Sequence, residues 1–457
     1  MGIRLDWEVD SGPGSRSVGT EDPDRQRQHR VMRLRVLAII VGIIFGLSVA
    51  VAVVVWRLNE ANAYIESLLR DTVEAEFAAL RLSDKTAFIG IQRSATDDWQ
   101  TYQSQIFDAF QNGKLAGSIT LTGTVRGVEI DGTRGRAIVE WIEGGIPYSQ
   151  AWFYWRYEDG WRHVPPDTTF WGKSEALRGQ NVTVLYQEVD AALAEVMGLR
   201  VEGWIASVCG PILQCGDLPH ISLTITPDIY TEKGWGRATQ AWTLTLDSPY
   251  ITGARSDQPF SGATLETVAN AVAERLVGAG LGSSDPFDRT TDAGYLIQAT
   301  QTWLTGQFVG LDTGSTLIQS LADNAGRATL GTLLKALRPT STLDVILVVL
   351  GQNDVRAVNL NWSDFFAKRI RLESDYASAD NLPGMIALYA EESRQNALDR
   401  LAIKAIPSAV TFSITQTSNA PDGAATISGT ARSTYGATVQ EQPVQFVWRN
   451  GTWLRSN

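Results

Sequence analysis

A chain of 457 residues is long enough for about three domains, and its 44% hydrophobic content suffices for sizeable cores. The formal net charge of −11 excludes the basic face that nucleic acid needs, so no nucleic-acid partner is expected. The only histidines are His29, His163 and His220, with no pair at i,i+4 or H-x-H spacing. A histidine-based metal site is therefore not expected, and no cofactor is expected either.

Residues 1–35 are rich in Gly, Ser, Asp and Arg and are predicted to be a disordered tail. Residues 36–56, "VLAIIVGIIFGLSVAVAVVVW", carry no charge. As a helix this run reaches about 30 Å, the thickness of a bilayer core. It is too long for a signal-peptide core and shows no clear small-residue cleavage site. Arg25, Arg27, Arg30, Arg33 and Arg35 precede it. The positive-inside rule then places the tail in the cytoplasm and all that follows Arg57 outside, as expected of a single-pass protein of the cell membrane.

Residues 57–173 read as an α+β domain, helices first. Residues 58–82 have apolar positions at helical spacing, Ser83-Asp84 caps a second helix through Ile91, and helical signal continues over residues 99–110. The period then becomes two. "SITLTGTVRGVEIDG", "GRAIVEWIEGG", "YSQAWFYWRYEDG" and "WRHVPP" are four strands joined by glycine-containing hairpin turns. Alternation puts Trp152, Tyr154 and Arg156 on one face and Phe153, Trp155 and Tyr157 on the other. Trp152, Tyr154, Trp155 and Trp161 are candidate ligand-binding residues, with packing against a neighbouring domain as the competing use. His163 is the one candidate acid/base group, with Asp97, Asp98 and Tyr102 as prospective neighbours, against the plainer role of a polar strand end.

Residues 178–352 begin with strands ("NVTVLYQE", "HISLTITPD", "QAWTLTLDSPY") around one helix, then continue almost entirely as helix. Cys209 and Cys215, in "CGPILQC", lie beyond the membrane run, where an oxidising compartment favours a disulfide over free thiols. A metal there would find only His220 nearby. "GAGLGSSDPFD" lacks the G-x-x-x-x-G-K-[ST] pattern and reads as a plain loop.

Residues 355–457 repeat the order of residues 57–173: two helices, then "AVTFSITQTSN", "AATISGTARS", "VQEQPVQFVWRNG" and "TWLRSN" as strands. "FYWRYEDGWRH" and "FVWRNGTWLRS" share a Trp-Arg-turn-Trp pattern, with Trp155-Arg156 set against Trp448-Arg449 and Trp161 against Trp453. The shared order and pattern predict an internal duplication.

Both outer segments resemble the cone-shaped α+β fold of nuclear transport factor 2, ketosteroid isomerase and the SnoaL-like proteins. That resemblance implies helices wrapped on a curved sheet around a pocket; family members include enzymes, small-ligand binders and interaction modules. The middle segment resembles the gluzincin metallopeptidases of the MA clan, especially membrane-anchored bacterial forms. Their H-E-x-x-H helix holds zinc because residues i and i+4 share a face. On "VANAVAERLV" the motif positions hold Asn270, Ala271 and Glu274, and the later W-L-x-E-G pattern, seen in "TWLTGQFVG", has Gly306 at the ligand place. The resemblance implies a pseudopeptidase without zinc; an unrelated core helix that buries Leu265, Val268, Val272 and Leu276 is the competing reading. The expected whole is a membrane-anchored, non-catalytic, extracytoplasmic protein binding a small ligand or an envelope partner. The alternatives are an enzyme using the first cone pocket through His163, or a purely structural spacer.

Overall fold

The computed structural model describes residues 23–228, 230–258, 260–311 and 314–457. The chain divides after Thr72 into two units, taken in turn. The first holds most of helix α1 (Pro23–Leu82). Its residues 36–56 are all exposed, and the helix is long and apolar enough to cross a membrane. Of the predicted disordered tail, residues 1–22 lie outside the described residues, and from Pro23 onward it is helical instead. Pro suits a first helical turn, and the Arg- and Gln-rich stretch behind it has good helix propensity. No Gly or Pro falls between Arg57 and Leu82, so the helix runs unbroken past the apolar stretch.

The second unit starts with the last turns of α1, where Val73, Phe77 and Leu80 are buried. Ser83, in the left-handed region at φ 60°, ends that helix. The Asp84 carboxylate then caps α2 (Lys85–Ile91) by accepting from the Ala87 N–H at 2.9 Å. After α3 (Asp97–Leu115) come β1 (Ile119–Asp131), β2 (Arg134–Glu143), β3 (Ile146–Tyr157) and β4 (Gly160–Val164), the predicted antiparallel meander.

The middle segment is a sheet followed by helices. Its elements are β5 (Ser174–Arg178), β6 (Val182–Gln187), α4 (Ala191–Val208), β7 (Ile221–Thr226), β8 (Gly234–Trp235), β9 (Thr243–Asp247) and β10 (Ala254–Arg255). Helices α5 (Gly262–Gly280), α6 (Asp292–Val309), α7 (Thr316–Ala325), α8 (Thr329–Ala336) and α9 (Asp344–Val349) follow. Five strands form a sheet in the order β5-β6-β7-β9-β8, in which β6, β7 and β9 are parallel and β6–α4–β7 is a crossover unit. Cys209 and Cys215 form a disulfide across the turn after α4. β10 leaves this sheet and pairs with β3 at Tyr148 and Ser149, beside β4, so the first sheet is completed by the middle segment.

The last segment contains α10 (Ser363–Ser378), α11 (Leu382–Ala387), α12 (Arg394–Leu401) and the antiparallel strands β11 (Ala409–Asn419), β12 (Ala425–Tyr435), β13 (Thr438–Arg449) and β14 (Thr452–Arg455). One apolar core runs without a break from Val182 to Trp453, joining the middle and last segments.

The outer segments correspond in detail. Asp380, at φ 53°, stands where Ser83 does, and Asn381 caps α11 as Asp84 caps α2. Gln92 bridges His163 in parallel, and Tyr389 bridges Arg455 in the same way. The hairpins close on Tyr157–Gly160 and Arg449–Thr452. This corrects the alignment read from sequence: Trp161 does match Trp453, but Trp448 matches Arg156, and Arg449 matches Tyr157. The last segment has one residue fewer between its Trp-Arg pair and its next Trp, so equal patterns sit one register apart, on opposite faces.

Candidate functional site

A cavity of about 490 Å³ opens in the first segment, between α2 and α3 on one side and the sheet on the other. Phe88, Trp99, Ile106, Phe110, Trp152 and Val164 give it apolar walls, and the middle-segment residues Pro227, Asp228 and Ile251 supply part of its rim. No lysine or arginine lines it among the described residues.

His163, on β4, sits in its wall and is only 4% exposed. The imidazole stacks on Trp152 and on Tyr154, both with centroids 5.0 Å away, and meets Trp99 edge-on at 5.4 Å. Its Nδ1 lies 2.8 Å from Oε1 of Glu76, a carboxylate wholly buried near the end of α1. Glu76 also accepts from Gln92 Nε2 at 2.7 Å and from the Tyr154 hydroxyl at 2.8 Å. Burial and the adjacent carboxylate raise the Tyr154 hydroxyl well above its ordinary pKa, so it remains a donor at any physiological pH. No partner of His163 Nε2 occurs among the described residues.

Glu76 and Gln92 were missed in the sequence. The available signal was an acid set in the apolar stripe of Val73, Phe77 and Leu80, where a charge needs buried partners. Among the predicted aromatics, Trp152 lines the cavity, while Tyr154 and Trp161 are buried beside it without lining it. Trp155 is 46% exposed and does not line it, since strand alternation turns it to the other face. Tyr102 reaches the cavity, whereas Asp97 and Asp98 are exposed in the first turn of α3 and make no bond to His163.

On the other face of β3, Phe153 stacks on Trp171, whose Nε1 donates to the wholly buried Asp190 at 2.8 Å. Ser248 Oγ donates to the same carboxylate at 2.6 Å. Burial pushes the Asp190 carboxyl up to about 6, against the opposing pull of these bonds.

In the middle segment, α5 buries Val268, Val272 and Leu276 and half-buries Leu265. Asn270 and Glu274 face solvent, and Asn270 Oδ1 accepts from Gln301 Nε2 of α6 at 3.0 Å. The Ala271 carbonyl accepts from Trp235 Nε1 at 3.0 Å. Gly306 lies roughly 140° around α6 from Gln301. It is buried, and a Cβ there would stand 3.0 Å from the Leu311 carbonyl oxygen. Asn270 and Glu274 thus share a face that Gly306 does not join. Among the described residues, no group of three His, Cys, Asp or Glu side chains is arranged to hold a metal ion.

Compared with protein-family models, curated proteins and solved structures, the chain matches none.

Proposed function

We propose that this protein is a membrane-anchored, extracytoplasmic binder of a small apolar ligand, held in the cavity of its first segment. The observation that carries this reading is an apolar, aromatic-walled cavity of about 490 Å³ with one ring nitrogen of His163 unpaired, among the described residues, beside it. Ligand sites commonly combine apolar walls with a few fixed polar groups in a cavity of this size. The apolar stretch of α1 and the arginines before it support a single membrane pass with the N-terminus in the cytoplasm. The disulfide supports an oxidising compartment for the rest. The two outer segments are read as a duplication in which only the first has kept a binding role. The middle segment is read as a pseudopeptidase-like scaffold whose α5 serves packing.

The test is binding of phenylnaphthylamine to the full chain in lipid nanodiscs, with empty discs as blank. Saturable binding that Ile106→Trp abolishes by filling the cavity is the expected result; unchanged binding in that variant removes the reading. A phosphatase fused after Asn457 should be active only outside the cell, and activity confined to the cytoplasm would reverse the topology.

One observation favours a second reading. Glu76 at 2.8 Å from Nδ1 holds His163 as a carboxylate holds a general base. Turnover of a bound ligand by the parent protein, lost in His163→Ala, would make the cavity an active site.

A further inference from the structure

The hydrogen bonds around Glu76 decide which end of the imidazole faces the ligand. A carboxylate only accepts, and Glu76 takes donors from Gln92, Tyr154 and His163 Nδ1. When the ring is neutral its proton is therefore on Nδ1, which leaves Nε2 as an acceptor without a partner among the described residues. A second polar group on the same cavity is also unsatisfied. The Trp99 indole N–H is buried and makes no hydrogen bond among the described residues, on a ring 5.4 Å from the imidazole.

An acceptor and a donor on rings 5.4 Å apart suit a neutral group that both gives and takes a hydrogen bond. A hydroxyl gives its proton to Nε2 and accepts from the indole, whereas a carbonyl or ether oxygen can only accept. A carboxylate would meet the Nε2 lone pair with no lysine or arginine, among the described residues, lining the cavity to balance it. An ammonium could donate to Nε2 but has no lone pair to accept from the Trp99 indole. The geometry points to an apolar molecule carrying a hydroxyl group, a phenol or alcohol, as the ligand, with Glu76 as the positioning residue that fixes the tautomer. This rests on the proposed binding role of the cavity and adds the chemistry of its polar contacts.

The experiment is isothermal titration of the full chain in nanodiscs, blanked with empty discs, against four probes of one size: naphthalene, naphthol, naphthyl methyl ether and naphthoate. Naphthol should bind about tenfold more tightly than the ether, the effect of one added hydrogen bond in a dry site, more tightly still than the hydrocarbon, and naphthoate most weakly. Glu76→Gln should reduce the naphthol-to-ether ratio towards unity while naphthalene still binds, a change that a merely structural role would not produce. If naphthol and ether bind equally to the parent protein, or naphthoate binds best, the hydroxyl assignment is overturned and the binding cavity stands. If no probe binds, the cavity reading itself falls.

Discussion

Glu76 and Glu373 occupy the same place in the two outer segments, each buried on the first helix and each facing the last strand. Glu76 meets His163 there; Glu373 meets Arg455, with Arg400 Nε at 3.5 Å as a second cation. One carboxylate is matched to an imidazole, an amide and a phenol, the other to two guanidinium groups.

This difference sets the cost of removing each charge. In Glu373→Gln, Arg455 and Arg400 keep their charges in a buried site without a counter-charge, which should cost on the order of 3–5 kcal/mol. Glu76→Gln keeps the shape and leaves no guanidinium without its counter-charge, at about 1–3 kcal/mol. Urea denaturation of the two variants, followed by tryptophan emission, should show the larger midpoint shift for Glu373→Gln; the reverse order would refute the account.

Asp190 imposes a pH dependence. Its carboxyl is raised to about 6 in the folded chain by burial, above the ordinary 3.8. The folded state therefore holds the proton more tightly than the unfolded state. Stability from this group is full below about pH 4 and is lost as pH rises through about 6, by up to about 3 kcal/mol. Asp190→Asn should flatten the stability profile between those limits. A profile still falling there in the variant would assign the slope to another group.

Rebuilding the zinc motif should fail. Asn270→His, Ala271→Glu, Glu274→His and Gly306→Glu together recreate the peptidase pattern in sequence. The new glutamate, however, starts from a buried position crowded by the Leu311 carbonyl, away from the face of Asn270 and Glu274. Gly306→Glu alone should destabilise by about 1–3 kcal/mol through overpacking. Stoichiometric zinc in the fourfold variant, measured by elemental analysis, would contradict the placement of Gly306.

The disulfide closes a short loop, so the chain-entropy gain is small. Cys209→Ser with Cys215→Ser should cost about 2 kcal/mol. The measurement is the shift in thermal midpoint, and the same shift should appear in the parent protein after reduction.

Much of the architecture was legible because it depends on local pattern. The alternation in residues 119–164, the turn glycines, the Asp84 cap and the Cys209–Cys215 pairing each involve neighbours in sequence. What was hidden depends on distant partners. Glu76 acquires its meaning only from His163, which no spacing rule connects to it. The parallel pairing of β6 with β7 follows from the α4 crossover, and that of β7 with β9 from the connection through β8, not from the apolar runs themselves. Equal Trp-Arg words concealed a one-residue register shift because a pattern match does not count the residues in a turn.

The two residues of β10 have a consequence for how this protein can be divided or recombined. A fragment ending at residue 173 would leave the β3 edge bare at Tyr148 and Ser149 and strip Pro227, Asp228 and Ile251 from the cavity rim. The first segment is therefore not a transferable cassette: moved to another chain by gene fusion or recombination, it would arrive with a sticky sheet edge and a breached container. Selection on the cavity acts on the middle segment too, and a substitution near Ala254 can alter what the first segment holds without touching it.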